Sequence, residues 1–146
     1  MVHDLYQEII LDHSKRPRNC HTMADATGEA DGYNPLCGDK LKLFIRIEND
    51  IVKDVSFVGS GCAISTASAS LMTESLKGKT RAEAMKLLEK FHELLTTDTA
   101  VSQDLGKLVV FCGVRDYPAR VKCATLAWHT LRSALTNNVA EPVSTE

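Results

Sequence analysis

Lys40-Leu41-Lys42-Leu43-Phe44-Ile45-Arg46-Ile47-Glu48 alternates apolar and charged side chains over most of its length. Successive side chains on a strand point to opposite faces. Leu41, Leu43, Ile45 and Ile47 therefore share one face, and Lys40, Lys42, Arg46 and Glu48 take the other. Asn49-Asp50 supplies a hairpin turn, and residues 51–58 read as the returning strand, with Val55 and Phe57 in its β-rich part. Gly59-Ser60-Gly61 breaks that strand.

Upstream, residues 18–40 hold Gly28, Gly32, Asn34, Pro35 and Gly38, a turn-rich stretch with room for one short strand. Residues 4–13 form a short amphipathic helix with Leu5, Ile9 and Ile10 on one side, ended by Pro17. Downstream, residues 62–77 read as a helix that stops at Gly78. Its Ala63, Ser65, Ala67, Ser68, Ala69 and Ser70 are small enough to let it lie close to a neighbouring backbone. Thr80-Arg81-Ala82-Glu83 is a capping box that opens a helix over 81–96. Met85, Leu88, Phe91 or His92, and Leu95 give that helix its buried stripe. Residues 97–106 are a polar link and 107–111 a short apolar element. Asp116-Tyr117-Pro118 starts the last helix, with Pro118 in its first turn. Val121, Ala124, Trp128, Leu131 and Leu135 form its apolar stripe. The pattern is lost over 137–146, a flexible C-terminal tail. No repeat or second domain is evident, and residues 1–136 read as a single domain.

Composition narrows the function. The 146 residues carry 17 basic and 19 acidic side chains, a formal net charge of −2. A broad nucleic-acid surface needs a clear basic excess, so no nucleic-acid partner is expected. No apolar run approaches the eighteen or so residues of a membrane span. The N-terminus carries Asp4, Glu8 and Asp12 among its apolar positions and is not a secretory signal. The expected setting is cytoplasmic, with no membrane contact. Aromatic residues make up 5% of the chain, so aliphatic side chains must fill most of the core.

The five cysteines are Cys20, Cys37, Cys62, Cys112 and Cys123. An odd number at long spacings in a reducing compartment points to metal or thiol chemistry rather than disulfides. Cys37-Gly38-Asp39 places a thiol and a carboxylate on a Pro/Gly loop, where both can turn toward one cation. Read blandly, it is an exposed cysteine beside a turn-forming aspartate. Cys62 stands at a helix start, where free N–H groups and the helix dipole favour a thiolate. Cys123 lies early in the last helix beside Lys122 and near Arg120, cations that also favour a thiolate, and it leans away from the centre of the buried stripe. Either cysteine could instead be a packing residue. Together with Asp39 the three thiols suit tetrahedral zinc, or equally an iron–sulfur cluster. Cys112 reads as packing and Cys20 as incidental. The five histidines offer no ligand pair on one helix face, and His13 reads as a surface or partner residue.

Three ordered segments carry a resemblance. They are Asn34-Pro35-Leu36-Cys37-Gly38-Asp39, Gly59-Ser60-Gly61-Cys62-Ala63-Ile64-Ser65, and Pro118-Ala119-Arg120-Val121-Lys122-Cys123-Ala124-Thr125-Leu126. With Asp12-His13-Ser14-Lys15-Arg16-Pro17-Arg18-Asn19 they closely resemble the NifU/IscU-like iron–sulfur cluster assembly proteins, over roughly residues 4–135. The chain looks like the SufU branch rather than the IscU branch. Lys122 stands where IscU proteins carry a histidine ligand, and Tyr117-Pro118-Ala119-Arg120 replaces their Leu-Pro-Pro-Val-Lys motif. The longer stretch between Cys62 and Cys123 holds the extra helical segment typical of SufU.

The resemblance implies an α+β fold, a small antiparallel sheet of about three strands with helices packed against it. It implies zinc held by Cys37, Asp39, Cys62 and Cys123, or alternatively iron or a [2Fe–2S] cluster built at the same residues. It implies persulfide sulfur taken from a pyridoxal-phosphate cysteine desulfurase (SufS-like) and passed to other iron–sulfur assembly proteins. Cys37 is then the sulfur acceptor and Arg120 the stabiliser of its released thiolate, while a desulfurase histidine takes the vacated position on zinc. The activity implied is that of a sulfurtransferase-type acceptor rather than a stand-alone enzyme.

Overall fold

Asn49 and Asp50 both adopt left-handed backbone, with φ of 53° and 63°. That is the two-residue turn whose twist matches a right-handed hairpin. It joins β2 (Asp39–Glu48) to β3 (Ile51–Ser60), which pair antiparallel with Leu43 opposite Phe57 and Ile45 opposite Val55. The computed structural model of the chain describes residues 2–35, 37–96, 105–136 and 143–144. β1 (Gly28–Asn34) pairs antiparallel with the other edge of β2, ending with Asn34 opposite Asp39. The short turn between these two residues carries Cys37. A two-residue β4 (Val143–Ser144) lies parallel to β1 at Gly32 and Tyr33, giving the order β3-β2-β1-β4. It falls within the stretch expected to be a tail, the remainder of which lies outside the described residues.

β3 does not break at Gly59. A Cβ there would stand 2.1 Å from the Lys40 carbonyl oxygen. Glycine at this position keeps the strand paired through Ser60 and delivers Gly61 and Cys62 to the end of β2.

The helices are α1 (Val2–Lys15), α2 (Ala63–Leu76), α3 (Arg81–Thr96) and α4 (Pro118–Leu135), with a 3₁₀ segment at Gly106–Asp116. The capping box forms as expected. Thr80 N–H donates to Glu83 Oε1 at 2.9 Å, and Glu83 N–H to Thr80 Oγ1 at 3.1 Å. Phe91, not His92, faces inward from α3, and the stripe includes Ala84, Leu87 and Leu94, with Met85 at its margin. The apolar element expected at 107–111 is longer, continuing to Asp116; most of the polar link before it, 97–104, lies outside the described residues.

α4 is the central element. It packs on β1 and β2 and is flanked by α2, α3 and the 3₁₀ segment. Burial therefore extends beyond a single stripe: Cys123, Thr125, Leu126, Ala127, Thr130 and Ala134 are buried as well as Ala124, Trp128, Leu131 and Leu135. Cys123 thus lies in the interior, 2% exposed, where its sequence position suggested a stripe margin. Trp128 stacks on Phe91 at 4.6 Å, and Phe111 meets Phe91 edge-on at 5.7 Å. These contacts hold α3 and the 3₁₀ segment onto α4, each worth about 0.5–1.5 kcal/mol beyond its burial. The small face of α2 has the use expected of it: Ser68 Oγ donates to the Ala124 carbonyl at 2.6 Å and accepts Trp128 Nε1–H at 3.2 Å.

α1 departs from expectation in two places. Leu5 is 55% exposed, while Tyr6, Ile9 and Ile10 make the inner face. His13 is 2% exposed instead of lying on the surface. Ser70 on α2 is small enough to admit the imidazole, and its Oγ lies 2.7 Å from His13 Nδ1. The same Oγ accepts Arg18 N–H at 2.8 Å. The hydroxyl proton is therefore free to go to Nδ1, which leaves Nε2–H facing Glu74 Oε1 at 3.6 Å. Burial, with Arg18 nearby, holds the His13 pKa below the usual histidine value.

Candidate metal centre

The β1–β2 turn, the β3–α2 junction and the second turn of α4 meet at one end of the sheet. Each brings one of the expected cysteines. Cys37 lies exposed on the turn, Asp39 is fully buried at the start of β2, Cys62 is the residue before α2, and Cys123 is buried on α4. The ligating atoms of Cys37, Asp39 and Cys123 all lie within 4.8 Å of one another. Cys37 Sγ and Cys123 Sγ are 3.1 Å apart. Cys62 Sγ stands slightly outside this group, 3.9 Å from Asp39 Oδ2.

The carboxylate is held from two sides. Asp39 Oδ1 accepts the backbone N–H of Cys62 at 2.8 Å, and Oδ2 accepts Asn34 Nδ2–H at 3.2 Å. Gly61 makes the first contact possible, because a Cβ there would stand 2.5 Å from Asp39 Oδ1. Cys62 Sγ accepts the N–H of Ser65 at 3.4 Å, as the capping atom of α2. Asn34 Nδ2 also lies 3.4 Å from Cys123 Sγ.

Burial pushes the Cys123 thiol well above the usual cysteine range, and its hydrogen bonds with Cys37, Asp39 and Cys62 push the same way. Burial thus opposes the thiolate that the charges of Lys122 and Arg120 favour. Three sulfurs and a carboxylate gathered at low dielectric cannot all be ionised without a compensating charge. A bound cation reverses that balance, because a coordinating thiol is deprotonated outright. The donor set, three sulfurs and one carboxylate oxygen in closed proximity, fits zinc or an iron–sulfur cluster. A tetrahedral zinc site separates its sulfurs by about 3.8 Å, so Cys37 and Cys123 must spread slightly, and the exposed turn lets Cys37 do so.

The centre opens onto a cleft of about 710 Å³ whose wall includes Tyr6, Ile10, Leu11, Tyr117 and Arg120. Its exposed lining is mixed, with Leu11 and Tyr117 beside Gln7, Asp116 and Arg120. The Arg120 guanidinium lies 5.1 Å over the Tyr117 ring, within the same cleft as Cys37. Cys20 and Cys112 lie apart from this group, one exposed and one packed at the core margin. His92 and His129, on different helices, face each other with ring centres 6.1 Å apart. Sequence reasoning missed Asn34, Gly61 and Ser65. The signal available for Asn34 was its place at the end of a strand that must return to Asp39.

Known proteins share the sequence pattern and the fold. The profile of the NifU-like N terminal domain matches residues 5–137. The zinc-dependent sulfurtransferase SufU of Bacillus subtilis is 41% identical over 132 residues, covering 90% of this chain and 89% of that protein. The iron–sulfur cluster assembly scaffold protein IscU of Streptococcus pyogenes is 38% identical over 135 residues, covering 92% of this chain and 84% of that one. A crystal structure from Fervidobacterium islandicum, proposed as an assembly scaffold of the SUF system, superposes with a TM-score of 0.85 at 37% identity, covering 91% of this chain and 98% of that chain. The α+β fold of an antiparallel sheet with helices packed on it is therefore shared with these proteins, and the chain belongs to the NifU-like N-terminal domain family.

Proposed function

We propose that this chain is a zinc-dependent sulfur acceptor of iron–sulfur cluster assembly, with Cys37, Asp39, Cys62 and Cys123 as the ligands. The single observation that carries the reading is the contrast among the donors. Asp39 and Cys123 are buried, Cys62 is half-buried at the helix cap, and Cys37 alone is exposed, on a turn at the mouth of the cleft. The name of the Bacillus relative, a zinc-dependent sulfurtransferase, supports the same reading. Bound zinc supplies positive charge that keeps the thiols deprotonated.

In the transfer step the Cys37 thiolate attacks the terminal sulfur of a persulfide on the donor. A new S–S bond forms at Cys37, the donor's S–S bond breaks, and the donor cysteine leaves as a thiolate that takes up a proton. Arg120, over the Tyr117 ring in the same cleft as Cys37, is the cation that pairs with the released thiolate. The open cleft, with exposed Leu11 and Tyr117 beside Gln7, Asp116 and Arg120, gives a protein donor access to Cys37, and a pyridoxal-phosphate cysteine desulfurase is the expected source. Five free cysteines suit the reducing cytoplasm.

A second reading builds a [2Fe–2S] cluster at the same residues, and the name of the Streptococcus relative favours it. Elemental analysis after anaerobic purification without added metal separates the two. About one zinc per chain with negligible iron is the expected result. Iron and acid-labile sulfide in place of zinc would overturn the first reading in favour of the second.

A further inference from the structure

Asn34 is fully buried at the end of β1, opposite Asp39 in the sheet register. Its Nδ2 reaches two of the proposed ligands, Asp39 Oδ2 at 3.2 Å and Cys123 Sγ at 3.4 Å. A carboxylate has no proton to give, so the atom facing Asp39 must be the amide nitrogen, and the side chain's orientation follows. Among the described residues its buried Oδ1 has no hydrogen-bond partner. Buried amides are ordinarily satisfied at both ends. Here the Nδ2 end lies within hydrogen-bond reach of two donor atoms of the centre, so the side chain is aimed at the centre by its N–H groups.

The proposed ligands thus differ in what holds them apart from a metal. Asp39 has Asn34 and the Cys62 N–H, Cys123 has Asn34, and Cys62 has the Ser65 N–H. Among the described residues Cys37 Sγ receives no N–H, only the S–H of Cys123 when the thiols are protonated. A hydrogen bond from an amide N–H lowers the charge on a thiolate and makes it a weaker nucleophile. With three thiolates and a carboxylate around a divalent ion, the filled centre is anionic, and the one thiolate without such a bond carries the most charge on its sulfur and is the most nucleophilic of the three.

We infer that Asn34 is a positioning residue that anchors Asp39 and Cys123 and so leaves Cys37 as the thiolate that reacts first. This rests on the zinc reading above and assigns the order in which its thiolates react. Without the amide, Cys123 becomes a competing nucleophile and the selectivity for Cys37 falls.

The test compares the zinc-loaded wild-type chain with Asn34→Leu, which keeps the bulk and removes both N–H groups. Each is treated with limiting iodoacetamide, and alkylated peptides and released zinc are measured together. Cobalt-substituted samples supply a spectrum. In the wild type, alkylation begins at Cys37. In Asn34→Leu the ratio of Cys123 to Cys37 alkylation should rise at least tenfold, and the sulfur-to-cobalt charge-transfer band should move to longer wavelength. An unchanged ratio with an unchanged band would overturn the assignment. Should Asn34→Leu fail to fold, Asn34→Ser, whose hydroxyl is too short to span both partners, carries the same comparison. A wild-type chain that binds neither zinc nor cobalt would instead contradict the zinc reading, so the two failures are distinguishable.

Discussion

Asp39 Oδ1 accepts the backbone N–H of Cys62 at 2.8 Å, across the gap between the start of β2 and the N-terminus of α2. One carboxylate thereby satisfies an otherwise free N–H at a helix start while its second oxygen lies 3.9 Å from Cys62 Sγ and the same side chain clusters with Cys37 and Cys123. Fold and centre share this residue, and perturbing one should be felt in the other.

Gly61→Ala tests that coupling without removing a donor. The added Cβ would stand 2.5 Å from Asp39 Oδ1, so the carboxylate or the β3–α2 junction must move. Overpacking of this kind costs about 1–3 kcal/mol. Calorimetry should show a melting temperature lower by roughly 3–10 °C, and competition with a chromophoric chelator should show weaker zinc binding. Unaltered values for both would contradict the tight contact.

The ligand set predicts a division among the five cysteines. Cys62→Ser and Cys123→Ser should lose metal, because a hydroxyl is a poor zinc ligand, whereas Cys20→Ser and Cys112→Ala should keep it. Apparent binding energies for structural zinc in small peptide sites are on the order of 10–16 kcal/mol. Chelation of the wild type should therefore lower its melting temperature clearly. Plasma emission analysis and thermal scans of the five proteins check this; zinc lost from Cys112→Ala but kept in Cys123→Ser would show the assignment to be wrong.

His13 predicts a pH dependence. Buried and neutral in the fold, it has a lowered pKa, so the unfolded chain binds its proton more readily. The stability it contributes is present above the unfolded value of about 6.5 and is lost as pH falls through that value toward the lower folded one. Urea titrations of the wild type and His13→Gln should converge on acidification over this window. His129, also lowered by burial, is common to both proteins and cancels in the difference. Parallel pH profiles would refute the role.

Local chemistry was readable in the sequence. The Asn49-Asp50 turn, the Thr80–Glu83 capping box, the Gly78 stop and the alternation of β2 each depend on neighbours a few residues apart, and each is present. The three cysteine segments marked the centre because loop and helix-start positions signal chemistry without knowledge of the packing. The errors lie where distant elements meet. His13 is buried because Ser70, 57 residues away, makes room for it. α4 is buried beyond one stripe because sheet and helices close around it, and Gly59 serves pairing with Lys40 rather than a break. Asn34 looked like one more turn residue, since nothing local shows that its amide faces Cys123, 89 residues on.

Cys37, the exposed member of the cluster, is the proposed sulfur acceptor. The direct measurement of that role is intact-protein mass after incubation of the zinc-loaded chain with a cysteine desulfurase and cysteine. The wild type should gain the mass of one sulfur, Arg120→Ala should retain zinc and gain it more slowly, and Cys37→Ala should gain none. A full gain of one sulfur in Cys37→Ala would contradict the account and move the acceptor to Cys62 or Cys123.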